Sequence, residues 1–467
     1  MRTLIHGGTI VADGRSRSGD VLIAGETIAA VGKAVAVPAA VDRVMDATGC
    51  VVFPGGIDPH VHLGLETPQG TCGDDFASGS AAALAGGTTT LIDFVTPRRG
   101  ASLLDALAAR KDAARKSLCD YGLHMSVTAW SDRVLPELEA CCRHEGIGSV
   151  KAYLAYKETI GLEDREFLTL LDAARALKFL TLVHAEAGDM VAYLQKQLLA
   201  AGKTAAAFHP LSRPPEVEGD AVARALLMAR LAGVPLYVVH VSTRQGLDAV
   251  AAARQAGQAA IAETCPQYLV LDESLYAAGG DAGAAAVMSP PLRSGEHREA
   301  LWQALASGLA QTVASDHCPF DLEDKRRHAG DDFTRIANGI GGIEYRLGLL
   351  YTFGVRTGRI TLERFVDLVA TRPAKLFGLY PRKGAIRAGS DADLVVWDPG
   401  RKWTVRAAGQ WQRCDHTPYE GLELQGAPRF VLSRGAAVFA AGRLDAAAGR
   451  GRYLDRSPLR GNDGRCG

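Results

Sequence analysis

Two histidines separated by one residue, His60 and His62, follow a short apolar run and could hold a metal ion. Side chains at positions i and i+2 of an extended strand point to the same side, so both imidazoles can reach one point. Imidazole nitrogen is a good ligand for zinc and for several other divalent metals. A single His-x-His pair is a weak signal, because two histidines on a loop need no function. The hypothesis therefore depends on further ligands elsewhere in the chain.

Four more polar residues stand in or at the ends of later apolar runs, namely Lys151, His184, His240 and Asp316. Any one of them alone has an ordinary structural explanation. Their repeated placement at the carboxyl ends of predicted strands is hard to explain by packing. Nitrogen and carboxylate donors without thiolate favour a hydrolytic zinc or manganese centre.

Lys151 needs its own explanation, because an ammonium group cannot bind a metal. Its apolar neighbours, Val150 and residues 152–154, place it inside a strand, and burial favours the neutral amine. A neutral amine can react with carbon dioxide to give a carbamate, whose two oxygens can bridge two metals. The alternative, a lysine paired with a surface carboxylate, suits an apolar strand less well.

Eight short apolar runs alternate with alanine-rich helical stretches, which indicates a parallel sheet of the α/β class. Eight strand–helix units predict a closed (β/α)8 TIM-like barrel with its active site at the carboxyl ends of the strands. The predicted strands are 51–57, 88–94, 121–127, 149–154, 180–184, 236–240, 259–263 and 311–316.

Both ends of the chain have the pattern of short strands separated by glycine-containing turns. We predict that residues 1–53 and 379–446 form one small β-sandwich beside a catalytic barrel at residues 54–378. The last segment, 447–467, is rich in arginine and glycine, and we predict that it is mobile or packs on a partner subunit.

Composition argues against several classes of partner. Lysine plus arginine and aspartate plus glutamate both number 52, so no basic field favours nucleic acid or anionic lipid. No stretch reaches the roughly 18 uncharged apolar residues that a membrane span needs, and the first residues do not resemble a secretory signal. Nine cysteines without zinc-finger or disulfide spacing fit a reducing cytosol. We therefore expect a cytoplasmic protein that acts on a small molecule.

The order of these motifs resembles that of the cyclic amidohydrolases, and most closely that of the dihydropyrimidinases and bacterial hydantoinases. Together the matching segments span nearly the whole chain and are specific as a set. They are GGIDPHVHL (55–63), GDDFASGSAAALAGGTTTLIDF (73–94), SVKAYLAYK (149–157), HAE (184–186), VHVST (239–243), MSPPLR (288–293), SDHCPF (315–320), DDFTRIANGIGGIE (331–344) and RPAKLFGLYPRKGAIRAGSDADLVVWDP (372–399).

The resemblance implies a centre with two divalent metals, expected to be zinc, with manganese or cobalt as alternatives. The implied ligands are His60, His62 and Asp316 for one metal and His184 and His240 for the other, with Lys151, carboxylated by carbon dioxide to N6-carboxylysine, bridging the two. Asp316 would also carry a proton from the attacking water to the leaving ring nitrogen.

The resemblance also implies the substrate contacts. Tyr156 would hydrogen-bond the substrate carbonyl, and the main chains of Ser289 and Asn338 would bind the ureide part of the ring. The residues implied for the ring substituent, placed in two loops, are Leu63, Leu65 and Tyr153. The expected reaction is hydrolysis of the ring amide of 5,6-dihydropyrimidines or 5-substituted hydantoins to N-carbamoyl amino acids. The same relatives imply a homotetramer, with a dimer as the alternative.

Three other functions stay open at this point. Dihydroorotases carry an arginine two residues after His-x-His, whereas this chain has Gly64 there. Allantoinases typically lack a tyrosine five residues after the bridging lysine, whereas this chain has Tyr156. Non-catalytic assembly proteins such as the collapsin-response mediators have lost metal ligands, whereas all six positions are filled here. Met288, Ala337 and Gly341 depart from the family pattern and leave the choice between dihydropyrimidines and hydantoins open.

Overall fold

The structure, a computed structural model, describes residues 1–33 and 41–456, and two large β-sheets organise this part of the chain. The first sheet begins with the amino-terminal strands β1 (Arg2–Ala12), β2 (Arg15–Ala24), β3 (Thr27–Gly32), β4 (Arg43–Asp46) and β5 (Val51–Pro54). Strands β1, β2 and β3 are antiparallel neighbours, and β4 and β5 each run parallel to β1.

The second sheet has eight parallel strands, as the sequence predicts, and their spatial order follows the chain. In chain order the next strands are β6 (Gly56–Val61), β7 (Glu66–Thr67), β8 (Gly70–Thr71), β9 (Thr88–Val95), β10 (Asp120–Ser126), β11 (Ser149–Tyr153), β12 (Leu180–His184), β13 (Leu236–Val238), β14 (Ala260–Thr264) and β15 (Ala310–Val313). The short strands β7 and β8 form a separate hairpin, and the other eight form the barrel.

Helices follow the barrel strands and cover the outside of the sheet. They are α1 (Phe76–Ala85), α2 (Leu103–Ala114), α3 (Val134–His144), α4 (Asp164–Leu177), α5 (Gly188–Ala200), α6 (Pro215–Ala232), α7 (Arg244–Gln255), α8 (Pro266–Val270), α9 (Ser274–Ala277), α10 (Gly280–Ala285), α11 (Gly295–Ser307), α12 (Leu322–Arg326), α13 (Arg346–Leu350), α14 (Leu362–Val366) and α15 (Arg372–Leu376). Single π-helical turns at Tyr351–Val355 and Asp367–Thr371 follow α13 and α14. None of the described helices is long and apolar enough to cross a membrane.

The carboxyl-terminal strands return to the first sheet, as the sequence predicts. Strands β16 (Leu394–Thr404), β17 (Glu423–Ser433), β18 (Ala436–Ala440) and β19 (Arg443–Leu444) extend it to nine strands. The two halves join where β16 pairs antiparallel with β5. Apolar side chains from both ends, among them Ile10, Val21, Val52 and Leu432, share one small core. The fold-class prediction, a (β/α)8 barrel with a small β-domain built from both chain ends, is confirmed. The strands of that domain, predicted as a small β-sandwich, form one continuous nine-stranded sheet.

The apolar run 51–57, predicted as one barrel strand, is in fact two strands. Val51–Pro54 belongs to the terminal sheet, and the barrel strand starts at Gly56. Gly55 separates them, and a Cβ atom there would lie 2.1 Å from Thr89 Oγ1. The prediction of a single strand was wrong because hydrophobicity continues through this glycine while the backbone changes sheets.

The barrel closes where the carboxyl end of β6 meets the chain after β15. Val61 and His317 form a parallel bridge there, and the N–H of His62 donates to the carbonyl of His317 at 2.9 Å. These contacts lie beside His60, His62 and Asp316, so closure of the barrel and assembly of the predicted site occur at the same place.

A buried arginine below this point joins the same two strands. The Nη1 atom of Arg346 donates to the carbonyl oxygens of Ile57 (3.0 Å) and Val313 (2.8 Å). Its Nε atom lies 3.4 Å from Asp58 Oδ2, and both side chains are fully buried. Asp58 in turn accepts a hydrogen bond from the N–H of Ser315 at 3.1 Å. This set of contacts, the Arg346 seam, holds the first barrel strand against the last.

The carboxyl-terminal segment packs beneath the barrel on its own chain. Leu454 is fully buried in the barrel core with Ile57 and Phe377. Arg456 donates to Ser149 Oγ at 2.7 Å and to the carbonyl of Leu123. The segment predicted to be mobile or to pack on a partner, 447–467, therefore packs on its own barrel as far as residue 456, and residues 457–467 lie outside the described residues.

Removing the Arg346 seam should destabilise the protein strongly. We expect Arg346→Met to lower the free energy of unfolding by about 3–5 kcal/mol, because Asp58 would be left as a buried carboxylate without its cation. The denaturation midpoint in urea, followed by circular dichroism, measures this. Arg359→Met is the matched control, because its pair with Glu299 is 38% and 50% exposed and should contribute at most about 1 kcal/mol. Equal midpoints for the two variants would contradict the role of the seam.

Candidate metal centre

The four predicted imidazoles and Asp316 meet at the carboxyl ends of the barrel strands. The Nε2 atoms of His60 and His62 lie 3.1 and 3.2 Å from Asp316 Oδ1. On the other side, His184 Nδ1 lies 2.9 Å from His240 Nε2. The two groups adjoin, since ligand atoms of His60, His240 and Asp316 all lie within 4.8 Å of one another. The structure thus brings together five residues that are distant in the sequence.

Two buried glutamates orient these imidazoles. Glu263 Oε1 lies 2.8 Å from His60 Nδ1, and Glu186 Oε2 lies 2.8 Å from His184 Nε2. A carboxylate at one ring nitrogen holds the proton there, which leaves the lone pair of the other nitrogen facing the cluster. Neither residue was predicted from the sequence to have a role. Their positions in the sequence could have indicated a role near the site, because Glu263 lies at the end of the seventh predicted strand and Glu186 stands two residues after His184.

The protonation states suit metal ligands. Burial lowers the pKa of His60, His184 and His240 below the usual histidine value, which favours the neutral rings that coordinate metals. Burial alone would raise the pKa of Asp316, but the neighbouring His60 and His62 hold it well below its usual range. These three histidines therefore present neutral nitrogen donors beside one charged carboxylate.

Lys151 lies beside this cluster in an enclosed aromatic environment. The side chain is 1% exposed, and its Nζ atom lies 5.0 Å from the ring centre of Phe94. The same Phe94 ring lies 4.7 Å from the ring of His60 and 4.9 Å from that of His62. Burial lowers the pKa of Lys151 to about 8, so the neutral amine is accessible near neutral pH.

These residues fit a site for divalent metal ions. The donor set is nitrogen and carboxylate without thiolate, a combination that suits hydrolytic zinc and manganese sites. Among the described residues, the buried Nδ1 atom of His240 has no hydrogen-bond partner, and two facing ring nitrogens of His184 and His240 are close enough to share one ion. His62 and Asp316 keep 13% and 19% exposure, which leaves one side of the cluster open to a substrate.

Three residues here have left-handed backbone conformations although they are not glycine. They are Tyr156, His240 and Asp316, with φ of 56°, 37° and 51°. Such conformations are uncommon for residues with a side chain and concentrate where a precise side-chain direction matters. The backbone at these three positions is therefore shaped by the site rather than by local propensity.

The predicted substrate residues lie next to each other on one side of the cluster. The ring of Tyr156 lies 5.4 Å from that of His184, and its hydroxyl lies beside Ser289 and the buried Arg213. Ser289 Oγ donates to Asn338 Oδ1 at 2.9 Å. Within the described part of the chain, no hydrogen bond engages the main-chain carbonyl of Ser289 or the main-chain N–H and carbonyl of Asn338. These main-chain groups are therefore free to bind a ligand.

The three residues predicted for the ring substituent are placed differently from one another. Leu63 is fully buried against α1, where a Cβ atom on Gly79 would lie 2.2 Å from Leu63 Cδ2. Leu65 is half-buried in a loop, next to Cys72 and Cys318. Tyr153 is the last residue of β11 rather than part of a loop, and its hydroxyl lies beside Ser126 and Thr96. Their role in substrate selection stays a prediction.

Comparison with known proteins agrees with this geometry. The amidohydrolase family matches residues 51–438. The chain is 44% identical over 458 residues to a D-hydantoinase of Geobacillus stearothermophilus, covering 98% of this chain and 97% of the relative. It is similar to the crystal structure of dihydropyrimidinase from Brevibacillus agri NCHU1002, with a TM-score of 0.96 and 42% identity over 98% and 100% of the two chains. It is also similar to the L-hydantoinase (dihydropyrimidinase) of Arthrobacter aurescens, with a TM-score of 0.88 and 30% identity over 97% and 99%.

The role of Glu263 can be tested through metal affinity. Glu263→Gln keeps the shape of the side chain but replaces the carboxyl group that contacts His60 Nδ1 by an amide, so we expect metal affinity to fall by about 10–100-fold. Metal analysis after dialysis against increasing chelator measures the change. Glu299→Gln, at the surface, is the matched control. If both variants retain metal equally, Glu263 does not orient His60.

Proposed function

We propose that this chain opens the rings of 5,6-dihydropyrimidines and 5-substituted hydantoins. The premise is that the chain belongs to the amidohydrolase family and is a hydrolase of cyclic amides. Water adds to the ring amide and the C–N bond breaks, giving an N-carbamoyl amino acid. The observation that carries the proposal is that, among the described residues, the main-chain carbonyl of Ser289 and the main-chain N–H and carbonyl of Asn338 make no hydrogen bond, and that they lie beside the histidine cluster.

The chemistry of the two segments matches the part that both rings share. A cyclic ureide presents N–H donors and carbonyl acceptors in one plane. The N–H of Asn338 can donate to a ureide carbonyl, and the carbonyls of Asn338 and Ser289 can accept from ureide N–H groups. A ring bound in this way would place its neighbouring amide toward Tyr156 and the cluster, since the Tyr156 hydroxyl lies beside Ser289.

The site would hold two divalent metal ions, for which zinc is the expected element and manganese or cobalt the alternatives. His60, His62 and Asp316 would hold one and His184 and His240 the other, and when bound the ions would activate water and polarise the ring carbonyl. Asp316 would take the proton of the attacking water and deliver it to the leaving ring nitrogen. Tyr156 would donate a hydrogen bond to the oxyanion, a contact worth ~3–4 kcal/mol when well placed.

We propose further that Lys151 carries a carboxyl group made from carbon dioxide. Burial favours its reactive neutral amine. An ammonium group beside two dications would be strongly repelled in a site of low effective dielectric. The carbamate replaces that positive charge by a negative one and adds two oxygen ligands that can bridge the metals.

The comparisons favour D-hydantoins over L-hydantoins as substrates. Identity is 44% to the D-hydantoinase of Geobacillus stearothermophilus and 30% to the L-hydantoinase of Arthrobacter aurescens. A dihydroorotase function has less support, because Gly64 stands where that family carries its arginine. A non-catalytic assembly role has less support, because every predicted ligand is present.

We propose a cytoplasmic homotetramer, with a dimer as the alternative. Large apolar side chains are exposed on two helices, with Met190 and Tyr193 of α5 at 47% and 63% and Leu231 of α6 at 73%. Such exposed apolar groups favour contact with another subunit. The described cysteines form no disulfide, which fits a reducing compartment. A monomer mass by light scattering at micromolar concentration would contradict the tetramer.

The proposed activity can be tested with a substrate panel. Protein loaded with zinc, manganese or cobalt should hydrolyse dihydrouracil, dihydrothymine and D-phenylhydantoin, whereas L-phenylhydantoin, dihydroorotate and allantoin should react more slowly. Chromatography of N-carbamoyl products measures turnover. Chelation should abolish turnover and added metal should restore it, because water and carbonyl activation depend on the ions. Faster turnover of dihydroorotate or allantoin than of every other ring would overturn the proposal.

Carboxylation of Lys151 can be tested by replacing the lysine. Lys151→Ala should lose both metal and activity, since the bridging oxygens are gone. A short carboxylic acid supplied together with metal should restore part of both, by occupying the space of the carbamate. Lys157→Ala is the matched control, because Lys157 pairs with Glu163 and Asp189 near the surface. Full metal content and activity in Lys151→Ala would exclude the bridging role.

A further inference from the structure

A buried lysine joins the two segments that carry Ser289 and Asn338. Lys325 lies on α12 and has no exposed surface. Its Nζ atom donates to the carbonyl of Val287 at 2.7 Å and to the carbonyl of Gly339 at 2.6 Å. Val287 stands two residues before Ser289, and Gly339 directly follows Asn338. A single amine therefore bridges the main chains of the two segments.

We propose that Lys325 is a positioning residue for substrate, which holds the main chains of Ser289 and Asn338 at the spacing that binds a cyclic ureide. The inference rests on the proposed function for the identity of the substrate. Lys325 itself would not touch the substrate and would act through the two carbonyls that it binds.

Two other contacts each hold one of the segments. The Met288 carbonyl accepts from His209 Nε2 at 2.8 Å, and the carbonyl of Ile340 accepts from the N–H of Cys318 at 2.9 Å. Two hydrogen bonds also link the segments directly, from Gly339 N–H to the Val287 carbonyl at 3.1 Å and from Ser289 Oγ to Asn338 Oδ1 at 2.9 Å. Within residues 1–33 and 41–456, Lys325 is the one residue whose side chain bonds to the main chain of both segments.

The chemistry of Lys325 suits this task. It forms no ion pair with any described carboxylate, so its burial is not explained by charge pairing. Burial lowers the pKa of Lys325 to about 7, and an uncharged amine has two N–H donors for two carbonyls. Without the amine, the half-buried Gly339 carbonyl would lose its partner and the Val287 carbonyl would keep only the N–H of Gly339, which favours movement of both segments.

The Gly339 segment packs tightly against the chain at Cys318, so it has little room to move in that direction. Gly339 has a φ of 143°, and a Cβ atom there would lie 2.4 Å from the carbonyl oxygen of Cys318, two residues after Asp316. The segment therefore lies directly against the chain that carries a predicted metal ligand. Loss of Lys325 should release it toward α12 and away from the Ser289 segment.

The test is Lys325→Met, which keeps an unbranched apolar side chain and removes both donors. In metal-loaded protein we expect KM for dihydrouracil and D-phenylhydantoin to rise by about tenfold or more, with a smaller change in kcat, because ureide contacts are made in the ground state and the transition state alike. Metal content should equal that of the wild type. Lys325→Gln, which keeps two N–H donors one bond closer to the helix, should have an intermediate KM. Arg327→Met, at an exposed position of the same stretch, is the matched control and should behave as wild type.

Hydrogen–deuterium exchange gives a second readout that does not depend on activity. The N–H of Gly339 should exchange about tenfold faster in Lys325→Met than in wild type or Arg327→Met, since its bond to Val287 is weakened. If Lys325→Met destabilises the fold globally, the same comparison is made with Lys325→Gln. Unchanged KM together with unchanged exchange would overturn the inference, as would a loss of metal that accounts for the loss of activity. If wild type opens no ring but exchange rises as expected, the proposed function fails while the positioning of the two segments stands.

Discussion

The meeting of the first and last barrel strands is the constraint on which the rest of the molecule depends. Regular pairing there is sparse, with one bridge between Val61 and His317 and one hydrogen bond from His62. The fully buried Arg346 supplies further hydrogen bonds to carbonyls of both strands and is neutralised by Asp58. His60, His62 and Asp316 stand immediately beyond this junction. A shift of one strand against the other would therefore separate the three residues that are proposed to hold one metal.

Charge balance governs the site in the same way. Asp316 stays ionised among imidazoles that burial keeps neutral, and Glu263 and Glu186 direct the ring protons away from the cluster. Lys151 is the group that does not fit, because its amine is buried beside the rings of Phe94 and Tyr153, and the attraction of Asp316 and Glu263 does not outweigh the effect of that burial on its pKa. Carboxylation would remove that inconsistency, since it converts the one repulsive group into a ligand. The proposed metals and carbamate would thus form one electrostatic unit with the two glutamates.

Sequence alone predicts the parts of this arrangement that have a local pattern. Period-two spacing identifies His60 and His62 as a pair, and the ends of apolar runs identify His184, His240 and Asp316. Residues that act across the fold have no such pattern: Glu263 reaches a histidine 203 residues away, and Arg346 reaches a carbonyl 289 residues away. Lys325 looks like an ordinary charged residue in a charged helix until the fold buries it. The split of 51–57 was missed because a change of sheet leaves no mark on hydrophobicity.

The end of the chain shows how far support for the site extends. Arg456 donates to Ser149 Oγ, Ser149 lies 2.6 Å from His124 Nδ1, and His124 Nε2 lies 2.9 Å from the carbonyl of Pro59. The three hydrogen bonds can all run in one direction, with Arg456 donating to Ser149, Ser149 to His124 and His124 to the carbonyl of Pro59. Pro59 directly precedes His60, and the His124 ring stacks on Phe94 at 4.6 Å, under the histidine pair. The carboxyl-terminal segment therefore contributes to the direction of His60 from below, while the Arg346 seam and Glu263 contribute from the sides. A proposed metal ligand that is held from three directions keeps its geometry although the other side of the cluster is open to solvent.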